Sequence, residues 1–258
     1  MRTLIHSFVG LFLIVSVAAA QERQWIQVST YHLTSEAKAK QFDAMMESAV
    51  GIQKDLGANP LGVFQLAESD DKQEFPHQRI VISSFDSAET MLTANDAYRG
   101  NSEFWSAAQD YLMQEPDDPA FTRIDRTLLY AFEGMPKLKV PGSAEGKKRL
   151  FELRTYESYS ELTGLIKVMM FNDGEVELFE KVGLPAVFYG HAVAGGNLPQ
   201  LTYMLVHDDA DAQKTGWDKF IKSPEWKALQ EKDPYAGKKL VSKIKKTMLV
   251  ATDFSQIK

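Results

Sequence analysis

Along the C-terminal half of the chain the apolar period switches from two to about 3.6 and back in a fixed order. Leu150-Phe151-Glu152-Leu153-Arg154-Thr155-Tyr156 alternates as a half-buried strand. Leu162, Leu165, Ile166, Met169, Val176, Phe179 and Val182 then mark one helix face that stops at Gly183, with a break expected at Asn172-Asp173-Gly174. Two strands follow, over 186–191 and 200–207, around the turn-rich segment 195–199. A helix beginning near Asp208-Asp209 carries Trp217, Phe220, Ile221, Trp226 and Leu229 and is stressed by Pro224, and 246–252 is the last strand. The N-terminal half runs through the same periods. A strand at 25–31 precedes a helix whose face is Phe42, Met45, Met46, Ala49, Ile52 and Leu56. Strands at 62–67 and 79–85, a helix through Phe104, Trp105 and Leu112, and a strand at 124–132 complete it.

The two halves share sequence as well as pattern. Ile124-Asp125-Arg126-Thr127-Leu128-Leu129-Tyr130-Ala131 matches Ile244-Lys245-Lys246-Thr247-Met248-Leu249-Val250-Ala251, Thr30-Tyr31 matches Thr155-Tyr156, and Val63-Phe64 matches Val187-Phe188. Each copy is therefore expected to be a split βαβ of ferredoxin-like type (βαββαβ), about 110 residues long. One such sheet leaves a face bare, and two copies cover both bare faces by packing sheet to sheet. The expected fold class is α+β: two tandem ferredoxin-like domains, 21–133 and 149–258, joined by a Pro/Gly/Lys-rich linker at 134–148 into a pseudo-dimeric α/β barrel within one chain.

Residues 1–20 change the picture of compartment. Arg2, the apolar run Phe8 to Val15 and the small-residue exit Ala18-Ala19-Ala20 read as a secretory leader cleaved after Ala20; the apolar run is too short to span a bilayer, so no stable membrane anchor is expected. The mature protein is expected to be periplasmic or secreted. Zero Cys removes disulfides and thiol chemistry from consideration. Losing Arg2 with the leader takes the net charge from −6 to −7, which argues against a nucleic-acid partner.

Phe151-Glu152-Leu153-Arg154-Thr155-Tyr156, Phe179-Glu180-Lys181 before Gly183, the Gly195-Gly196 turn ahead of a strand, and Ser223-Pro224-Glu225-Trp226 together resemble the NIPSNAP family. The N-terminal copy keeps only the closing Thr-Tyr of the first motif. The resemblance implies the dimeric α/β-barrel superfamily, in which NIPSNAP proteins have no well-defined activity while related barrels include cofactor-free monooxygenases and haem-binding enzymes. Fold analogy does not choose among them.

On strand 150–156, Glu152, Arg154 and Tyr156 share one face and Phe151, Leu153 and Thr155 the other. Placing the apolar set against the helices puts the polar set inside the barrel, where an Arg fork clamps a carboxylate. Gln27 and Ser29 stand at the matching N-terminal positions. Tyr189 and His191, with Tyr203 on the facing strand, extend this set as candidates for a phenolic ligand or haem. The plain alternative is a structural ion pair with satisfied histidines and core aromatics. No nucleophile–base pair, metal-ligand spacing or phosphate loop is present, since no helix follows Gly195-Gly196. The reading is an exported, non-catalytic binding or interaction module with a small apolar or carboxylate ligand and no cofactor. A cofactor-free monooxygenase or isomerase, or a haem enzyme, is the alternative.

Overall fold

A computed structural model describes residues 22–55, 59–67, 76–94, 96–142, 146 and 148–258, so the expected leader and its cleavage point lie outside the described residues. The first half comprises β1 (Trp25–Leu33), α1 (Glu36–Asp55), β2 (Gly62–Leu66), β3 (Gln78–Phe85), α2 (Ala88–Thr93), α3 (Asp96–Arg99), α4 (Ser102–Leu112) and β4 (Phe121–Ala131). The second comprises β5 (Leu150–Glu157), α5 (Glu161–Met170), a π-helical turn (Phe171–Glu175), α6 (Val176–Val182), β6 (Ala186–Ala194), β7 (Gln200–His207), α7 (Ala210–Lys222), α8 (Pro224–Glu231) and β8 (Lys243–Ala251).

The strands close into one antiparallel barrel in the order β1-β3-β2-β8-β5-β7-β6-β4. The same spatial order thus occurs twice, β4-β1-β3-β2 and β8-β5-β7-β6. The halves do more than face one another: they are stitched along two seams, β2 to β8 through Phe64–Leu66 and β4 to β6 through Leu128–Ala131. Edge strands otherwise present unpaired N–H and C=O groups, and closure satisfies them.

Inside the barrel, Ile26, Phe64, Ile82, Leu129, Phe151, Phe188, Met204 and Leu249 fill one end. Residues 252–257 fold back over that end. Val63 N donates to Ser255 Oγ (3.0 Å), Gln256 N donates to Leu61 O, and fully buried Ile257 plugs the core. Outside, α1 and α4 pack Phe42, Met45 and Tyr111 on the first half, and α5 to α7 pack Phe171, Phe179 and Phe220 on the second.

Two expectations change in the second half. The break at Asn172-Asp173-Gly174 is a π-turn with Gly174 at φ 146°. A π-turn inserts one extra residue, which rotates the helix face after the turn by about 100° relative to the face before it. The buried stripe consequently runs Ile166, Met170, Glu175, Phe179, while Leu162, Leu165 and Met169, expected on the packed face, are exposed. The helix expected to run through Pro224 is two helices. Ser223 ends α7 and caps α8 by accepting from Trp226 N, with Pro224 in the first turn where its missing N–H costs nothing.

Candidate functional site

The structure reverses the expected facing of β5. Phe151, Leu153 and Thr155 point into the barrel, and Glu152, Arg154 and Tyr156 point out beneath the helices. Alternation fixes which residues share a face but not which face is inside, and here both faces are covered. Glu152 is wholly buried. Its Oε2 accepts from Trp217 Nε1 (2.8 Å), Gln213 Nε2 (3.1 Å) and His207 Nε2 (3.1 Å), and its Oε1 accepts from Arg154 Nη1 (2.7 Å). Burial alone would raise this carboxyl. The hydrogen bonds from His207, Trp217 and Gln213 and the Arg154 charge outweigh it and hold the pKa at about 2. The Arg154 guanidinium lies 4.2 Å from the Trp217 ring centre.

Tyr156 and Tyr203 share a hydroxyl–hydroxyl bond of 2.7 Å, and Tyr189 lies beside Tyr203 with ring centres 5.5 Å apart. Burial pushes the Tyr189 and Tyr203 hydroxyls well above their ordinary range. Beneath α5, Lys167 Nζ meets Glu175 Oε2 at 2.6 Å, both buried, and burial raises the Glu175 carboxyl despite that partner. Five of the six sequence candidates, Glu152, Arg154, Tyr156, Tyr189 and Tyr203, therefore share one packed layer. His191 stands apart, edge-on to Tyr130 at 6.0 Å, its pKa lowered by burial and by nearby Arg23. Among the described residues no group of three or more His, Cys, Asp or Glu is placed to hold a metal, and no helix is long and apolar enough to cross a membrane.

The open space lies in the other half of the barrel. A cavity of about 620 Å³ is lined by Thr30, Thr127, Thr155, Thr202 and Thr247 together with Gln78, Gln200, Arg123, Asp125, Glu157 and Lys245. Strand register explains the set. Val28 pairs with Thr127 and Thr30 with Asp125 in the first half, and Leu153 with Thr247 and Thr155 with Lys245 in the second, so equivalent positions of the halves meet in the lumen. Thr155 and Thr202 hydroxyls are 3.1 Å apart. Asp125 Oδ2 takes His32 Nε2 at 2.7 Å and Arg123 Nε at 2.9 Å; burial works to raise this carboxyl, and the two partners more than cancel it. Gln78 Nε2 lies 3.3 Å from His32 Nδ1, so both ring nitrogens of this buried imidazole are engaged. Lys243 stands 3.8 Å from Glu157. Lys245 makes no ion pair among the described residues.

The lumen mouth is bounded by the β6–β7 turn, where Gly195 has φ 137° and sits so close to β4 that an added Cβ would lie 3.0 Å from Thr127 Oγ1 and 3.1 Å from Arg126 O. The sequence did carry a signal for the lumen. Thr30 and Thr155, Thr127 and Thr247 are repeat anchors, and their recurrence marks positions that both halves keep polar inside the barrel. Among the described residues no histidine lines this cavity, and His32, which lies behind its wall, has both ring nitrogens engaged by Asp125 and Gln78, which does not fit a histidine-held haem.

Fold and lumen together define an α/β barrel of a kind seen in solved structures. A proposed monooxygenase from Lactobacillus acidophilus NCFM shares it at 11% identity and TM-score 0.59, over 89% of this chain and 94% of that one. A proposed monooxygenase from Fusobacterium nucleatum does so at 12% and 0.57, over 90% and 93%. An anthrone oxidase-like protein does so at 10% and 0.51, over 90% and 93%. At these identities the likeness is one of fold. Residues 151–256 match the model of the NIPSNAP family. Among curated proteins, none matches the sequence significantly.

Proposed function

We propose that the protein is a binding barrel whose lumen takes a small, hydroxyl-bearing carboxylate. The observation that carries this reading is Lys245, a cation without an ion-pair partner among the described residues, on the wall of a cavity ringed by five threonines. The threonine hydroxyls supply donors and acceptors at adjustable angles, and the ammonium supplies the charge. A cavity of about 620 Å³ falls within the 300–1,000 Å³ common for small-molecule sites.

Binding is favoured over catalysis because, among the described residues, the bases in and behind the lumen wall are already partnered: His32 with Asp125 and Gln78, Asp125 with His32 and Arg123, and Glu157 with Lys243 at 3.8 Å. A cofactor-free oxygenase or isomerase using this lumen is the second reading, supported only by fold. The twice-repeated strand order supports reading the chain as a duplicated ferredoxin-like unit. Export follows from the leader pattern at 1–20, and an intact mass beginning at Gln21 is its check. Titration calorimetry of the purified protein against small hydroxy acids, in parallel with Lys245→Gln, tests the proposal. Saturable binding weakened about tenfold or more in the variant supports it, and no binding to either protein rejects it.

A further inference from the structure

The space between sheet and helices is filled in the second half and hollow in the first. In the second half Arg154 pairs across strands with Tyr203 and Glu152 with Leu205. The register-equivalent pairs in the first half are Ser29 with Val81 and Gln27 with Ser83. Three large side chains, Arg154, Tyr203 and Leu205, are thus replaced by Ser29, Val81 and Ser83 on the same patch of sheet, while the tyrosine of the next outward-facing position, Tyr31 for Tyr156, is kept. The result is a cavity of about 180 Å³ under the helices of the first half, on the other face of the sheet from the lumen and sharing only Arg126 with its lining.

Its walls are chemically divided. The sheet side is polar, with Ser29 and Ser83 hydroxyls and the Gln27 amide, whose Nε2 donates to Ser29 Oγ at 3.3 Å. The helix side carries Met45, Met46 and Met91, soft thioethers that pack well on ring faces and edges, together with Phe104, Tyr98 and the Gln53 amide. At the rim stands Arg126, which occupies the position of Lys246 in the repeat and donates from Nη2 to Tyr31 Oη at 3.4 Å. A cavity on the order of 150 Å³ holds a benzene ring. A space of this size with thioethers on one side, hydroxyls on the other and one guanidinium at its rim matches one ring bearing one carboxylate.

We propose that this cavity is a second binding site, specific to the first half, for a single-ring aromatic carboxylate. Its sheet and helix walls are distinct from those of the lumen, Arg126 alone being common to the two linings, and it does not rest on the function proposed there. The duplicated fold gives it a rationale: one copy filled its sub-helix space with a charged network, and the other left it open.

Methionine-methyl NMR of the purified protein titrated with benzoate tests this directly. The methyl signals of Met45, Met46 and Met91 should shift together and saturate, while Met204 in the barrel core stays still. Arg126→Gln should lower the affinity for benzoate relative to benzyl alcohol about tenfold or more, the loss expected for a charge-assisted contact. Ser29→Leu and Ser83→Leu each restore bulk on the sheet side and should abolish the shifts. Wild-type signals that fail to move with millimolar benzoate overturn the proposal. So do shifts that persist in a folded filling variant, or a benzoate-to-alcohol ratio unchanged in Arg126→Gln.

Discussion

The indole Nε1 of Trp217 donates a 2.8 Å hydrogen bond to Oε2 of Glu152, joining residues 65 positions apart and pinning α7 to β5. Glu152 is a buried charge made tolerable by four donors, and Arg154 is the only cation among them besides any charge on His207. Networks of this kind are expensive to break from one side, because the remaining charge stays buried.

Arg154→Ala is therefore expected to destabilise the protein by about 3 kcal/mol, at the low end of the range for breaking a buried pair because three donors remain on Glu152. For a chain of this size that is a fall of roughly 10 °C in melting temperature. Thermal unfolding monitored by circular dichroism checks it. An unchanged melting temperature would mean that Arg154 is held for a ligand and not for the fold.

Acid stability carries a second signature. Glu152 has its carboxyl lowered from 4.5 to about 2 in the folded state, so it contributes stability above its unfolded value that is lost as pH falls through about 2. The contribution is about 3 kcal/mol when fully present. Glu175 acts in the opposite sense, its raised carboxyl costing stability as pH rises above the unfolded value. The isosteric Glu152→Gln isolates the first effect. Its deficit against wild type in urea unfolding should be present at pH 6 and shrink steadily below pH 4, and a deficit independent of pH would refute the assignment.

Gly195→Ala should loosen the seam between the halves. Its φ of 137° strains any side chain, at about 1–3 kcal/mol, and the added Cβ meets β4 backbone at 3.1 Å. Hydrogen exchange should accelerate at the β4–β6 amides, Leu128 to Ala131, with β5–β7 unaffected. Uniform protection in the variant would show that the turn does not depend on this glycine.

The element order was largely legible because each element carries a local period, and the stop at Gly183 is written in a single residue, whereas the cap at Ser223 that divides α7 from α8 was passed over. The helix-face error came from one inserted residue at Phe171–Glu175, which no 3.6-residue template accommodates. The facing of β5 was hidden for a different reason. Polarity marks the outside of a sheet only when the outside is water, and in this fold both faces of β5 are buried. Glu152 and Arg154 read as a pocket because the further donors to Glu152, Gln213 and Trp217, lie on a helix about 60 residues away. The lumen was visible only as repeated threonines, a residue type equally at home on strand surfaces.

Closure of the barrel by two seams predicts the behaviour of half the molecule. Residues 149–258 alone retain β8 and β6 as open edges, so this fragment should form a homodimer in which each copy replaces the missing half, or aggregate. Analytical ultracentrifugation decides, and a stable folded monomer would contradict the account of the seams.

The central claim, that the polar half of the lumen is the binding site, is tested most directly by threonine-methyl NMR during titration with a hydroxy acid such as malate. The account predicts saturable shifts of Thr30, Thr155, Thr202 and Thr247 with Thr163 on the outer helix unmoved, and loss of those shifts in Lys245→Gln. Lumen threonines that stay fixed while the protein demonstrably binds the ligand elsewhere would contradict it.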